Sequence, residues 1–299
     1  MVDLSIFSRV DYWSLAAVPV KADREDHPLG HGSAFFHMWH DQTYLVTAWH
    51  VLSGRHFQTG QSLCPTGAWP THLTIWWNPD GRPGAAKEAQ RIPLHSEDGE
   101  PRWVEIKRGS EWIDVAILPV DVPAGMQAYP VNELPEGPIN QGMGGDLFII
   151  GFPMRDQPLQ LPIWKRASLA SEPEIPEALQ PYQLVDTASR KGMSGAPVVQ
   201  RVYRPEATGP DLLNALRNPG HRGVTAFDGV YSGRFKGPTE EDMQLGIMWP
   251  GWWIPTLIEK HIGRDAYETG LQVENDRRVR VTAAFADAMK NSGRWRTSG

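Results

Sequence analysis

Ser194 stands between Gly192 and Gly195 in the stretch SRKGMSGAPVV, with Pro197, Val198 and Val199 behind it. Glycines on both sides open backbone conformations closed to other residues, so the serine can be aimed from a tight turn that leads into a strand. A serine hydroxyl is a weak nucleophile at neutral pH unless a neighbouring base takes its proton, which turns attention to the 10 histidines. Only His50, in YLVTAWHVLSG, directly follows an apolar strand and its small-residue end. Such a base needs a carboxylate to fix its tautomer and stabilise the imidazolium. Asp114, in EWIDVAILPV, is an acid set in an apolar strand, where burial is costly unless the carboxylate is hydrogen-bonded. Together the three residue types support nucleophilic acyl transfer.

The elements that must position them read as short strands. Twenty-six prolines and 29 glycines cut the 299-residue chain into short segments rich in β-branched and aromatic residues. GSAFFHMW and TYLVTAW flank HDQ as a hairpin, THLTIWW runs into a turn at Asn78 to Gly81, and EWIDVAILPV is a strand ended by Pro119. The passage from Pro119 to Gly145 has little periodicity and reads as a crossing between domains. After it DLFIIGFP, PYQLVDTAS, APVVQRVY, FDGVYSG and LGIMW are further strands. Residues 204–223 read as an inserted loop. Helices are predicted at WIPTLIEKHI and VRVTAAFADAMKN, where Val281, Phe285, Ala288 and Met289 share a face.

Charge and cysteine content narrow the class. The net charge of -6 is spread without long runs of either sign, which disfavours nucleic-acid binding. A single cysteine, Cys64, permits no intrachain disulfide, so stability rests on packing and a reducing compartment is expected. The N-terminal residues carry no basic region followed by an apolar core, and no apolar run approaches the ~18 residues of a membrane helix. A cytoplasmic protein without membrane contact is expected. His31, His37, His40 and His50 lack zinc-ligand spacing, so neither a metal nor a cofactor is expected. The 13 tryptophans read as core and edge-strand packing.

VTAWH, DVAIL and GMSGAP, in that order, resemble the three signature blocks of the chymotrypsin-like (trypsin-like) serine peptidases. GHGSAFF is similar to that family's first-barrel hairpin, IIGFP to the strand opening its second barrel, and GVYSG to the strand beside the substrate. The resemblance implies an all-β fold of two Greek-key six-stranded barrels with C-terminal helices. The implied domains are an N-terminal barrel over 1–125 with His50 and Asp114, a second barrel over 126–262 with Ser194, and a tail over 263–299, helical in part. It implies a serine endopeptidase in which Ser194 attacks, His50 is the base, Asp114 orients it, and the amides of Gly192 and Ser194 form the oxyanion hole.

By the same family pattern, substrate is held by Ala188, Ser189 and Arg190 on one side and by Tyr231, Ser232, Gly233 and Arg234 on the other. No acid stands at the base of that pocket, so an uncharged or acidic substrate side chain is expected, the latter if Arg190 or Arg234 points inward. Met193 stands where zymogen members carry an aspartate, which argues against activation by N-terminal cleavage and toward a bacterial, intracellular branch. Protein or peptide substrates and a regulatory protein partner are the implied partners. The alternatives are a partner-binding module with a silent or partner-gated site, and an esterase acting on small acyl substrates.

Overall fold

A computed structural model describes residues 10–82, 85–134, 136, 139, 142–153, 161–173, 179–188, 190–202, 224–235, 244–271 and 273–274. The inserted loop at 204–223, Ser189 and the helix expected around 281–289 lie outside the described residues.

A short helix α1 (Tyr12–Ala16), capped by the Asp11 side chain, leads into β1 (Ala17–Arg24). β2 (His27–Trp39) and β3 (Gln42–Thr47) form the expected hairpin, with Phe35 opposite Val46 and Trp39 opposite Gln42. A single helical turn, α2 (Trp49–Ser53), follows and is closed by Gly54 in the left-handed region. β4 (His72–Pro79), β5 (Glu88–Pro93), β6 (Lys107–Arg108), β7 (Glu111–Trp112), β8 (Ala116–Val120) and β9 (Met126–Gln127) complete the N-terminal sheet region. Its strand order is β5-β4-β1-β2-β3-β8, with β9 on β4 and β6-β7 as a separate ribbon.

The ring of this first barrel is closed from β5 back to β8 only by isolated pairings. The Arg102 amide donates to the Leu94 carbonyl at 2.9 Å, and Val104 and Ile117 exchange hydrogen bonds of 2.8 and 3.3 Å. The intervening residues, HSEDGEP, are charged and include Gly99 and Pro101, so they turn instead of extending a ladder.

The second barrel is fully closed, in the order β10-β11-β12-β15-β14-β13. Its strands are β10 (Asp146–Gly151), β11 (Ile163–Leu169), β12 (Gln183–Asp186), β13 (Pro197–Val202), β14 (Val224–Arg234) and β15 (Leu245–Pro250). The sequence pattern did not flag β1 (Ala17–Arg24), and it did not flag β5 or β11 either. Glu88, Arg91, Lys165 and Arg166 break up the apolar pattern of β5 and β11, and each of these two is read as a strand only through its neighbours.

The core runs through both barrels, from Val18, Phe35 and Leu45 to Val199, Val230 and Trp249. The expected helix at WIPTLIEKHI is α3 (Trp253–Ile262), which buries Trp253, Ile254, Leu257 and Ile258. Residues 264–271 are also helical. There Tyr267 stacks on Trp39 at 4.6 Å, tying this segment to the end of β2. No helix among the described residues is long and apolar enough to cross a membrane.

Candidate active site

The hairpin β2-β3 delivers His50. β3 is buried from Thr43 to Thr47, Ala48 caps α2, and the turn places His50 at the edge of a cleft with 22 % of its side chain exposed. Asp114 is not within a strand, as the sequence pattern suggested. EWIDVAILPV breaks after β7, and Ile113, Asp114 and Val115 form an irregular, buried link to β8. That break lets an acidic residue point along the chain toward α2 instead of sideways into a sheet face.

The Asp114 carboxylate is 1 % exposed and accepts three hydrogen bonds. The His50 amide donates to Oδ1 at 2.8 Å, His50 Nδ1 lies 2.8 Å from Oδ2, and the Ser232 hydroxyl donates to Oδ2. These contacts satisfy a charge whose burial would otherwise be prohibitive. With Nδ1 facing a carboxylate, the proton of neutral His50 resides there and Nε2 is left as the basic atom. Burial is the largest influence on the imidazole and pushes its pKa down. The charge and hydrogen bond of Asp114 together outweigh it, so His50 titrates above its usual 6.5.

Ser194 arrives from the second barrel, on the turn that precedes β13. Gly195 donates to the Tyr231 carbonyl at 2.7 Å, and Tyr231 donates to the Ala196 carbonyl at 2.9 Å. Gly192 and Gly195 have φ of 98° and 85°. A Cβ on Gly192 would stand 2.3 Å from the Phe152 carbonyl oxygen, and one on Gly195 would stand 2.1 Å from both Ser33 O and Thr47 Oγ1. Only glycine fits at either position. Met193 is fully buried in the second barrel with Leu147, Ile149 and Val198, so apolar packing anchors this turn.

Ser33, which sequence reasoning missed, joins the two barrels at this point. Its amide donates to the Ser194 carbonyl at 2.8 Å. Its buried hydroxyl donates to the Gly192 carbonyl at 2.8 Å and accepts from the Phe152 amide at 2.9 Å. The signal was present in GHGSAFF, a small polar residue between a glycine and a fully apolar run.

His50, Asp114, Ser194, Ser232, Gly233 and Arg234 line one cavity of about 380 Å³. Phe57, Tyr182, Phe235 and Ile247 supply its apolar walls and were not anticipated. Of the expected substrate residues, Ala188 and Arg190 are exposed and stand outside the lining of this cavity. Tyr231 is 1 % exposed and packs inside the second barrel beside Met248 and Val185. A bulge in β14 between Tyr231 and Gly233 interrupts the alternation, so Tyr231 stays in the core while both Ser232 and Gly233 reach the cleft. Ser232 reaches the cleft but spends its hydroxyl on Asp114.

Residues 32–203 match the family model of the trypsin-like peptidase domain. The chain belongs to the trypsin-like peptidase family. By class it is a serine endopeptidase. Among solved structures, this trypsin-like chain is similar to a serine endoprotease from Yersinia pestis, with 14 % identity, 89 % of this chain and 68 % of that one covered, and a TM-score of 0.48. It is also similar to a thermostable serine protease from an extremophilic microorganism, with 14 % identity, 80 % and 92 % covered, and a TM-score of 0.43. No curated protein matches it.

Proposed function

We propose that this trypsin-like peptidase cleaves peptide bonds through Ser194, His50 and Asp114. The observation that carries the reading is the grip of Asp114 on both the amide and Nδ1 of His50, with Ser194 lining the same cavity. In the first half-reaction Ser194 Oγ bonds to the scissile carbonyl carbon while its proton passes to His50 Nε2. The tetrahedral oxyanion is received by the amides of Gly192 and Ser194. Collapse expels the amine, which takes the proton from His50, and leaves an acyl ester on Ser194. Water then repeats the sequence, losing a proton to His50 and releasing the acid and the free serine. Throughout, Asp114 stays ionised and steadies the imidazolium.

The side chain preceding the scissile bond is uncharged or acidic. Phe57, Tyr182, Phe235 and Ile247 suit apolar groups, Arg234 is the cation on the wall, and Asp114, the acid there, is spent on His50 and Ser232. A lysine or arginine would find no free carboxylate among the described lining residues.

Treatment with a fluorophosphonate, read by intact mass, tests the assignment. One adduct on the wild type and none on Ser194→Ala is expected. An adduct that survives in Ser194→Ala would move the nucleophile elsewhere. A peptide panel varied at the residue before the cleaved bond tests the specificity, and preferential cutting after lysine or arginine would overturn it.

A further inference from the structure

A second cavity, of about 300 Å³, opens on a different face of α2 from His50, where Trp49 and Ser53 project. Trp69, Trp103, Trp112 and Glu105 also line it, together with Arg55, His95 and Pro101. Four indoles and one carboxylate around a space of this size are more than edge packing requires.

The indole N–H groups converge on the carboxylate. Trp49 and Trp103 donate to Glu105 Oε2 at 2.5 and 2.8 Å, and Trp112 donates to Oε1 at 3.2 Å. Trp49 and Trp112 stack with centroids 4.9 Å apart and planes within 12°. All three donors are neutral, and among the described residues no lysine or arginine reaches the Glu105 oxygens. The nearest ammonium contact, from Lys260, is to its backbone carbonyl at 2.6 Å. The negative charge is therefore shared with the rings, because a carboxylate on an indole N–H polarises the ring and makes its face more attractive to a cation.

The chain's own cations already use these rings. Arg24 Cζ lies 4.5 Å from the Trp69 centroid and Lys107 Nζ lies 4.4 Å from that of Trp112. Burial pushes His95, packed edge-on against Trp103, below its usual pKa, so it adds no charge at neutral pH.

We infer that this tryptophan cavity is a binding site for a trimethylammonium group, as carried by choline or by trimethylated lysine. The N–H groups of Trp49, Trp103 and Trp112 and both Glu105 oxygens already bond to one another, and Trp112 is covered by Trp49 on one face and Lys107 on the other. This side of the cavity therefore offers the rings of Trp49, Trp69 and Trp103 and negative charge, with Ser53, Arg55 and His95 as the polar groups of the remaining lining. A primary ammonium must surrender most of its hydrogen bonds to water on entry. A trimethylammonium has none to lose. Arg55, exposed and donating to the Gly60 carbonyl at 3.2 Å, is the opposing charge.

Calorimetric titration of the full chain at low salt tests the site. Its arms are choline, N-acetyl trimethyl-lysine amide, and 3,3-dimethylbutan-1-ol, the neutral carbon counterpart of choline. At least one of the two cations is expected to bind at least about tenfold more tightly than the alcohol, a cation–π contribution of ~1.4 kcal/mol. The tighter of the two identifies the source of the group. Trp69 is 45 % exposed, so Trp69→Ala is expected to keep the fold and the basal peptidase turnover while losing about tenfold in affinity. Arg55→Ala is expected to bind more tightly. Equal binding of the alcohol, undiminished binding by a folded Trp69→Ala, or no heat with either cation would each overturn the inference.

Discussion

The hydroxyl of Ser33, in the first barrel, donates to the carbonyl of Gly192, in the turn that carries Ser194, at 2.8 Å and across 159 positions of sequence. The same oxygen accepts the Phe152 amide, so one buried atom fixes where the Gly192 peptide plane points. Removing it leaves a carbonyl and an amide without partners in a site that admits no bulk water. For Ser33→Ala a fall in kcat of about tenfold or more is expected, with KM little changed and stability lower by ~2 kcal/mol. Steady-state kinetics and urea unfolding measure the two effects. An unchanged kcat in a folded variant would show that the turn holds its geometry without Ser33.

Gly195 faces the same joint from the other side. At a φ of 85°, with a Cβ that would lie 2.1 Å from backbone oxygen at Ser33, Gly195→Ala is both strained and overpacked. Loss of more than ~3 kcal/mol of stability is expected, seen as a large drop in melting temperature and in soluble yield. Gly109, which has a positive φ but nothing within 4 Å of its Cβ position, is the control and should cost far less as alanine.

In the proposed mechanism His50 must be neutral to accept a proton, so activity is expected to follow its deprotonated fraction. Because Asp114 raises the pKa of His50 above 6.5, kcat/KM is expected to climb with pH through a midpoint above that value. Asp114→Asn removes the charge and frees the wrong ring nitrogen. A fall in kcat of about 10,000-fold is expected from it. A pH profile flat from 5 to 8 in the wild type would refute the role given to His50.

His37 carries a separate pH dependence, of stability. Its Nδ1 is buried, and burial pushes its pKa down to about 4. Between about 6.5 and 4 the unfolded chain binds a proton here that the folded chain refuses, so stability falls as pH is lowered across that window. Urea midpoints at pH 7 and pH 5 are expected to lie closer together in His37→Phe than in the wild type. An equal pH dependence in the two proteins would assign the effect to other groups.

Strand content, the β2-β3 hairpin and α3 were legible because apolar alternation, breakers and a helical stripe are local properties. The candidate triad was legible for a similar reason, since each member stands in a short block whose residue types suit the task. Asp114 was misplaced within a strand because an apolar run does not reveal where its backbone leaves the sheet. β5 and β11 were missed because Glu88, Arg91, Lys165 and Arg166 erase the alternation, and partner strands supply the missing hydrogen bonds.

By itself the sequence determined the candidates for chemistry: a serine on a glycine turn, a histidine after an apolar strand, a carboxylate in an apolar setting and no disulfide to hold them. Tertiary structure alone decided that Ser33 clips one barrel to the other, that Tyr231 turns into the core while Arg234 faces the cleft, and that three indoles meet one carboxylate. Residue type and spacing limit what a side chain can do. Its direction and its neighbours depend on barrel closure, because contacts across 100 or more positions are set by packing and register.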